Sequence, residues 1–321
     1  MTQPLTAFAH RLIAVAGAAL VLQFFSEFYF LNEYPAVAAA RGLAALPEMG
    51  VLAAWYMLFA YAFLIVLDRF EVRTWAGLLL AGSLFGWATE ALLVPVVYEF
   101  PPVSFIWPSV SWHALVDVML GWCLIRLAMR RLAWPWLALV FASLGIVWAF
   151  WASWTWGAED EAPLVFSTGE FWTIVLMSGA SWITGTLLAD AGARRSFRAS
   201  RWEIGIVCLV TLALFGVTGW PWLPWPAALA LVVALTFGAL AWAKRGRIAR
   251  PDLLAPLAAG PPLGAYLVMP LLPVSAGLTY PIVLDHDLRF PIEEVIPLLV
   301  VLGALGFVWA LVRAALDGRT T

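Results

Sequence analysis

His113 and Asp117, in the stretch "SVSWHALVDVMLGW", are four residues apart, so on a helix they share one face and form an acid–base pair. Glu90, in "GWATEALLVPVVYE", lies well inside an apolar run, far from either end. Glu293 and Glu294 stand side by side where another run begins, "FPIEEVIPLL", and Glu170 opens a third in "STGEFW". Glu27, in "FFSEFYF", joins them from the end of the first run. Carboxyl and imidazole groups of this kind move protons in general acid–base catalysis. An apolar site favours the neutral form of a carboxyl group, which suits Glu90 to the part of acid. Glu90, His113, Asp117, Glu293 and Glu294 are therefore the candidate catalytic set. Trp87, Tyr98, Trp112, Glu170, Trp172 and Tyr280 are the candidate substrate contacts near them.

Each group also has a plainer reading. Acids in the first turn of a helix suit the positive end of its dipole, which accounts equally for Glu170, Glu293 and Glu294. Pro291 ahead of the pair suits an ordinary helix start. His113 and Asp117 can simply pair with each other. The acidic run at 159–161 reads as a solvated loop. If a metal is held at all, His113, Asp117 and His286 are the available nitrogen and oxygen ligands. The three histidines contain no His-x-x-x-His pair, and no cofactor is expected.

These groups sit in a chain that otherwise avoids charge. Of 321 residues, 64% are apolar and 12% charged, against about 25% charged in a soluble domain, so the chain reads as a polytopic membrane protein. Its first apolar run lacks a small-residue cleavage site and reads as a retained span. Cys123 and Cys208 both fall within spans, which leaves neither a disulfide framework nor a Cys-x-x-Cys metal site. Lys244, the only lysine, lies in a basic loop, which excludes a buried Schiff-base lysine. Gly-rich phosphate loops and nucleophile elbows are absent, and the arginine clusters are too short to suggest nucleic-acid binding.

Apolar runs long enough to cross a bilayer fall at roughly 5–30, 49–67, 74–98, 110–129, 133–156, 168–190, 202–219, 225–243, 253–272 and 291–315. The ninth carries Pro256, Pro261, Pro262 and Pro270, and a broken or re-entrant helix is expected there. Ten spans with both ends cytoplasmic place 16 of the 18 basic residues on one side, all but Arg41 and Arg289, as the positive-inside rule requires. Fourteen of the 20 acids fall on the other side or in the outer halves of helices, the candidate groups among them. The expectation is thus one all-α transmembrane domain over 1–321, multi-pass in a bacterial cytoplasmic membrane. Outer-acidic helix starts near 110–131, 167–191 and 290–314 hint at an internal repeat around one cavity. Of the twenty tryptophans, Trp107, Trp112, Trp151, Trp154, Trp156, Trp220, Trp222 and Trp225 fall at span ends. Interfacial belts explain most of these, and a minority can line a ligand pocket.

The stretch "RFPIEEVIPLLVV" resembles the Pro-x-Glu-Glu helix start of the heterodimeric bacterial and fungal lycopene cyclases, small membrane enzymes of carotenoid biosynthesis. The likeness covers about 25 residues and implies that Glu293 and Glu294 are catalytic acids. With it, the expected function is acid–base chemistry on a lipophilic, isoprenoid-like substrate in an outer cavity, an isomerase or cyclase. Three alternatives stay open: proton- or ion-coupled transport, metal-dependent hydrolysis, and a non-catalytic subunit of a homo-oligomer or larger membrane complex.

Overall fold

A computed structural model describes residues 2–157, 163–194, 196–246 and 251–319, so the acidic run at 159–161 lies outside the described residues. Among these the regular structure is all helical, with no strand. Nine helices among the described residues are long and apolar enough to cross a membrane. The expected third span, α4 (Trp75–Leu92), is a tenth, shorter helix of 18 residues that is largely enclosed by the others. The architecture is an all-α polytopic bundle.

The chain begins with α1 (Thr2–Gln23), which continues without a break as a π-helical segment, Phe24–Tyr29. A short outer helix, α2 (Glu33–Ala40), leads into α3 (Leu46–Arg69), which returns to the arginine-rich end. There Thr74 caps α4 by accepting from the Gly77 amide at 3.1 Å. Two 3-10 turns, Pro95–Tyr98 and Val103–Phe105, cross the outer end. The chain then descends as a second π-helical segment, Ser109–Leu124, continued by α5 (Ile125–Arg131). Next come α6 (Trp134–Trp151), α7 (Thr168–Ala193), α8 (Arg201–Gly219) and α9 (Trp225–Arg245). The capping boxes Ser167/Glu170 and Ser200/Glu203 set where α7 and α8 start, each acid bonding back to the cap amide. The end of the chain is α10 (Leu263–Leu267), α11 (Leu271–Asp285) and α12 (Ile292–Gly318).

The ninth span needs correction. It runs from Leu263 to Asp285, not over 253–272. Pro256, Pro261 and Pro262 hold the preceding stretch in a 3-10 turn and extended chain, and α11 starts only after Pro270. The span is broken, as expected, between α10 and α11. Tyr280 is consequently a buried helical residue, not part of an outer loop.

α1 packs along α7 and α3, α4 along the second π-helical segment, α11 along α6 and α7, and α12 along α4 and α9. The first span is 72% buried and α8 only 11%, so α8 is a lipid-facing outer helix while α1 is the axis of the bundle. Close approach at α4 depends on Gly86, where a Cβ would lie 1.9 Å from the Ser109 carbonyl oxygen and 2.9 Å from His113 Cβ. That contact fixes the height of α4 beside the second π-helical segment.

Candidate functional site

Ionisable residues of the outer half are brought together by the two π-helical segments. π-helical hydrogen bonds reach five residues back instead of four, and such turns are rare and frequently found at functional sites. Here the Asn32 amide donates to the Glu27 carbonyl at 2.8 Å, and the Ser111 and His113 amides donate to Ile106 and Pro108 at 2.9 and 3.2 Å. Indoles take up several of the carbonyls of the first segment and the residue that follows it. Trp112, Trp148 and Trp151 donate to the Phe25, Phe28 and Phe30 carbonyls at 3.0, 2.9 and 2.7 Å. Trp112 and Trp151, expected in a membrane belt, are thus buried structural donors, whereas Trp220 and Trp225 are exposed as belts require.

His113 is the centre of the constellation. Its Nδ1 lies 2.6 Å from Asp117 Oδ2 and 3.2 Å from Ser26 Oγ, while its Nε2 lies 2.7 Å from Glu90 Oε1. Tyr56 donates to Glu27 Oε1 at 2.7 Å and also lies within bonding distance of Ser26 Oγ. Asn32 donates to the other oxygen of Glu27 at 2.7 Å. Asp117 is fully buried behind the imidazole, and one of its carboxylate oxygens has no protein partner. Glu27 and His113 are buried, and Glu90 is partly exposed.

These groups form the floor of a cavity of about 880 Å³. Ser26, Glu27, Asn32, Tyr56, Glu90 and His113 line it, with Asp117 one layer behind. The walls include Trp55, Trp107, Trp112, Trp151 and Trp154, and exposed Tyr34, Val51 and Val94 lie at its mouth. Glu33 and Glu48 add two further carboxylates, and no lysine or arginine is among the lining residues. The site is therefore apolar and aromatic above an acidic, hydrogen-bonded floor.

Of the residues singled out from the sequence, Glu27, Glu90, His113, Asp117 and Trp112 meet here, with Trp107, Trp151 and Trp154 in the walls. The other candidate site residues do not. Glu293 and Glu294 are exposed in the first turn of α12, and only Ile296, one turn further on, reaches the cavity. Glu170 is exposed and accepts from the Ser167 amide at 2.8 Å as a cap. Trp87 is buried and donates to the Phe105 carbonyl at 2.8 Å. Tyr98 is buried outside the cavity, and burial pushes its hydroxyl up to about 12. Trp172 packs against Gly277, and Tyr280 stacks on Phe171 at 3.9 Å and donates to the Phe166 carbonyl. His286 caps the end of α11 in the open, away from His113 and Asp117. Among the described residues no group of three or more His, Cys, Asp or Glu side chains has the arrangement of a metal site. Of the three helix starts with outer acids, only the one near 110–131 opens on the cavity.

A second buried polar cluster lies toward the arginine-rich end. Asp190 of α7 accepts from Arg126 at 2.7 Å, from Arg130 at 2.7 Å and from the Tyr266 hydroxyl at 2.8 Å. Arg126 and Asp190 are both buried. Arg126 also lines a basin of about 760 Å³ at that end, together with Trp122, Arg69, Arg198 and Lys244.

Comparison with protein-family models, with curated proteins and with solved structures finds no match to this chain.

Proposed function

We propose that this protein is a membrane enzyme that carries out acid–base chemistry on a lipophilic substrate in the outer cavity. The observation that carries the reading is the Asp117–His113–Glu90 array at the floor of an apolar, tryptophan-walled chamber. Glu90 reaches the cavity and exchanges a proton with the substrate. His113 holds Glu90 through Nε2 and serves as its proton partner, and Asp117 fixes the ring through Nδ1. The hydrogen-bonded pair on opposite ring nitrogens is the arrangement that orients an imidazole for general acid–base work.

The substrate class follows from the walls. An unsaturated isoprenoid or carotenoid-like chain suits a largely apolar chamber without lysine or arginine side chains. Protonating its double bond creates a cation that indole faces and carboxylates stabilise. The likeness of the "PIEE" stretch to lycopene cyclases lies outside the cavity lining, so the proposal rests on the chamber. The test is incubation of purified protein with a panel of acyclic polyenes, with products followed by chromatography and absorption. Glu90→Gln is expected to lower turnover by about 10²–10⁴-fold, the usual contribution of a general acid. Full turnover in that variant rejects the proposal.

The buried Arg126–Asp190 cluster and its basin favour a second reading, proton- or ion-coupled transport. The same descending helix carries His113 and Asp117 beside one cavity and Arg126 beside the other, with Trp122 and Phe63 packed between at 5.1 Å. Flux into liposomes that depends on both Glu90 and Asp190 supports it, and flux no greater than in empty vesicles removes it.

A further inference from the structure

Glu27 is the one floor carboxylate that the Asp117–His113–Glu90 array leaves without a role. It is buried, its two oxygens are held by Tyr56 and Asn32, and it lines the same cavity as Glu90. Between the two acids runs an unbroken series of side chains. Glu27 Oε1 meets the Tyr56 hydroxyl at 2.7 Å, Tyr56 meets Ser26 Oγ, and Ser26 Oγ meets His113 Nδ1 at 3.2 Å. Nε2 of the same ring meets Glu90 Oε1 at 2.7 Å. Every member is a group able to accept one proton while releasing another.

We infer that Glu27 is the second acid–base group of this cavity, and that Tyr56, Ser26 and His113 form a relay that returns protons from Glu27 to Glu90. The inference rests on the acid–base reading of Glu90 and adds the class of reaction. Glu90 gives its proton to one carbon of a substrate double bond, forming a C–H bond and leaving a cation. A neighbouring C–H bond then breaks, its electron pair forms the new double bond, and the proton goes to Glu27. The substrate is isomerised or closed into a ring with no net gain or loss of atoms or electrons. The enzyme is left with Glu27 protonated and Glu90 ionised. Reset follows along the relay: Glu27 passes its proton to the Tyr56 oxygen, Tyr56 to Ser26, and Ser26 to Nδ1 as Nε2 releases its proton to Glu90. The ring is left as the Nδ1–H tautomer facing Asp117 at 2.6 Å, and it exchanges that proton for one on Nε2 through water in the cavity before the next pass. Tyr56 and Ser26 are positioning residues in this scheme, since they act on the carboxylates and not on the substrate.

Two measurements on the full chain in phosphatidylcholine nanodiscs test the relay. In the first, infrared pH titration follows the protonated-carboxyl bands, assigned by their loss in E27Q and E90Q, with no substrate added. Removing Glu90 is expected to displace the Glu27 midpoint by on the order of one pH unit, as for a coupled pair. In S26A, and independently in Y56F, that displacement is expected to fall to less than half. An unchanged displacement in both backgrounds, or a Glu27 midpoint indifferent to E90Q, overturns the relay. In the second, with a polyene found to turn over, S26A is expected to keep the first turnover and slow the following ones at least tenfold. Equal slowing of first and later turnovers overturns the relay, because it marks a merely structural defect. If E90Q abolishes turnover and the coupling is absent, the relay alone fails. If E90Q leaves turnover intact, the acid–base reading fails with it.

Discussion

Replacing Gly86 by alanine tests the packing that holds Glu90 against His113. The added Cβ would stand 1.9 Å from the Ser109 carbonyl oxygen, where ordinary contact begins at 3.4 Å, so α4 and the second π-helical segment must part by about 1.5 Å. The obstructing atom is main chain and cannot rotate aside. Overpacking of this kind costs about 1–3 kcal/mol, while alanine in place of glycine in a helix returns about 0.5–1 kcal/mol. The upper part of the range applies here, giving a net loss of about 2 kcal/mol. The Glu90–His113 contact is 2.7 Å, so a shift of that size also takes it out of hydrogen-bond range. Gly205, on lipid-facing α8, has nothing within 4 Å of its Cβ position and provides the matched control. The assay is denaturant-induced unfolding in micelles, with the infrared carboxyl bands as a readout of the site. G86A is expected to unfold earlier than wild type with altered Glu90 bands, and G205A at or later than wild type. Equal stability of the two variants refutes the packing argument.

Four other outcomes follow from the same geometry. D190N leaves the buried Arg126 guanidinium without its charged partner and is expected to lower stability by about 3–5 kcal/mol, read as loss of folded protein on size-exclusion chromatography after mild heating. S167A removes the α7 cap and is expected to cost about 1 kcal/mol in unfolding while leaving polyene turnover unchanged, as is E170Q. The double variant E293Q/E294Q is expected to retain wild-type turnover, because neither side chain lines the cavity; a drop comparable to E90Q contradicts that placement. Cys208 is exposed on α8 and Cys123 buried, so an apolar maleimide is expected to label only Cys208 in intact membranes, and labelling of Cys123 under the same conditions contradicts the packing.

Much of the fold is legible in the sequence because the membrane makes its demands one residue at a time. Apolar length finds most of the spans: nine of the ten expected runs correspond to helices long and apolar enough to cross a membrane among the described residues. Glu90, His113 and Asp117 stand out for the same reason: an ionisable group inside an apolar run needs a partner. Ser26, Asn32 and Tyr56 carry no such signal, since a neutral polar residue in a span is common, and only their positions across the cavity give them meaning. Arg126, Arg130 and Asp190 look like loop charge because they lie at span ends, where most charges are solvated. Glu293 and Glu294 mislead in the opposite way, an adjacent acidic pair that turns outward. The ninth span lies further along than apolar length suggests, because Pro256, Pro261 and Pro262 mark the boundary before it and, of the four prolines expected inside, only Pro270 falls within it. The π-helical geometry has no composition at all; it is a matter of hydrogen-bond register.

That register has a consequence for chain length. A π-helical stretch holds more residues in each turn than an α-helix of the same height, and in Ser109–Leu124 this surplus separates two fixed ends. Below, Arg126 is tied to Asp190; above, Ser109 abuts Gly86. Removing a single residue between them would have to rotate one end by somewhat less than the roughly 100° per residue of an α-helix, swinging either the imidazole away from its two acids or the guanidinium away from its one. Spacing along this stretch is thus as strict a requirement as the identity of any side chain it carries, and an insertion or deletion there would do what no single substitution can.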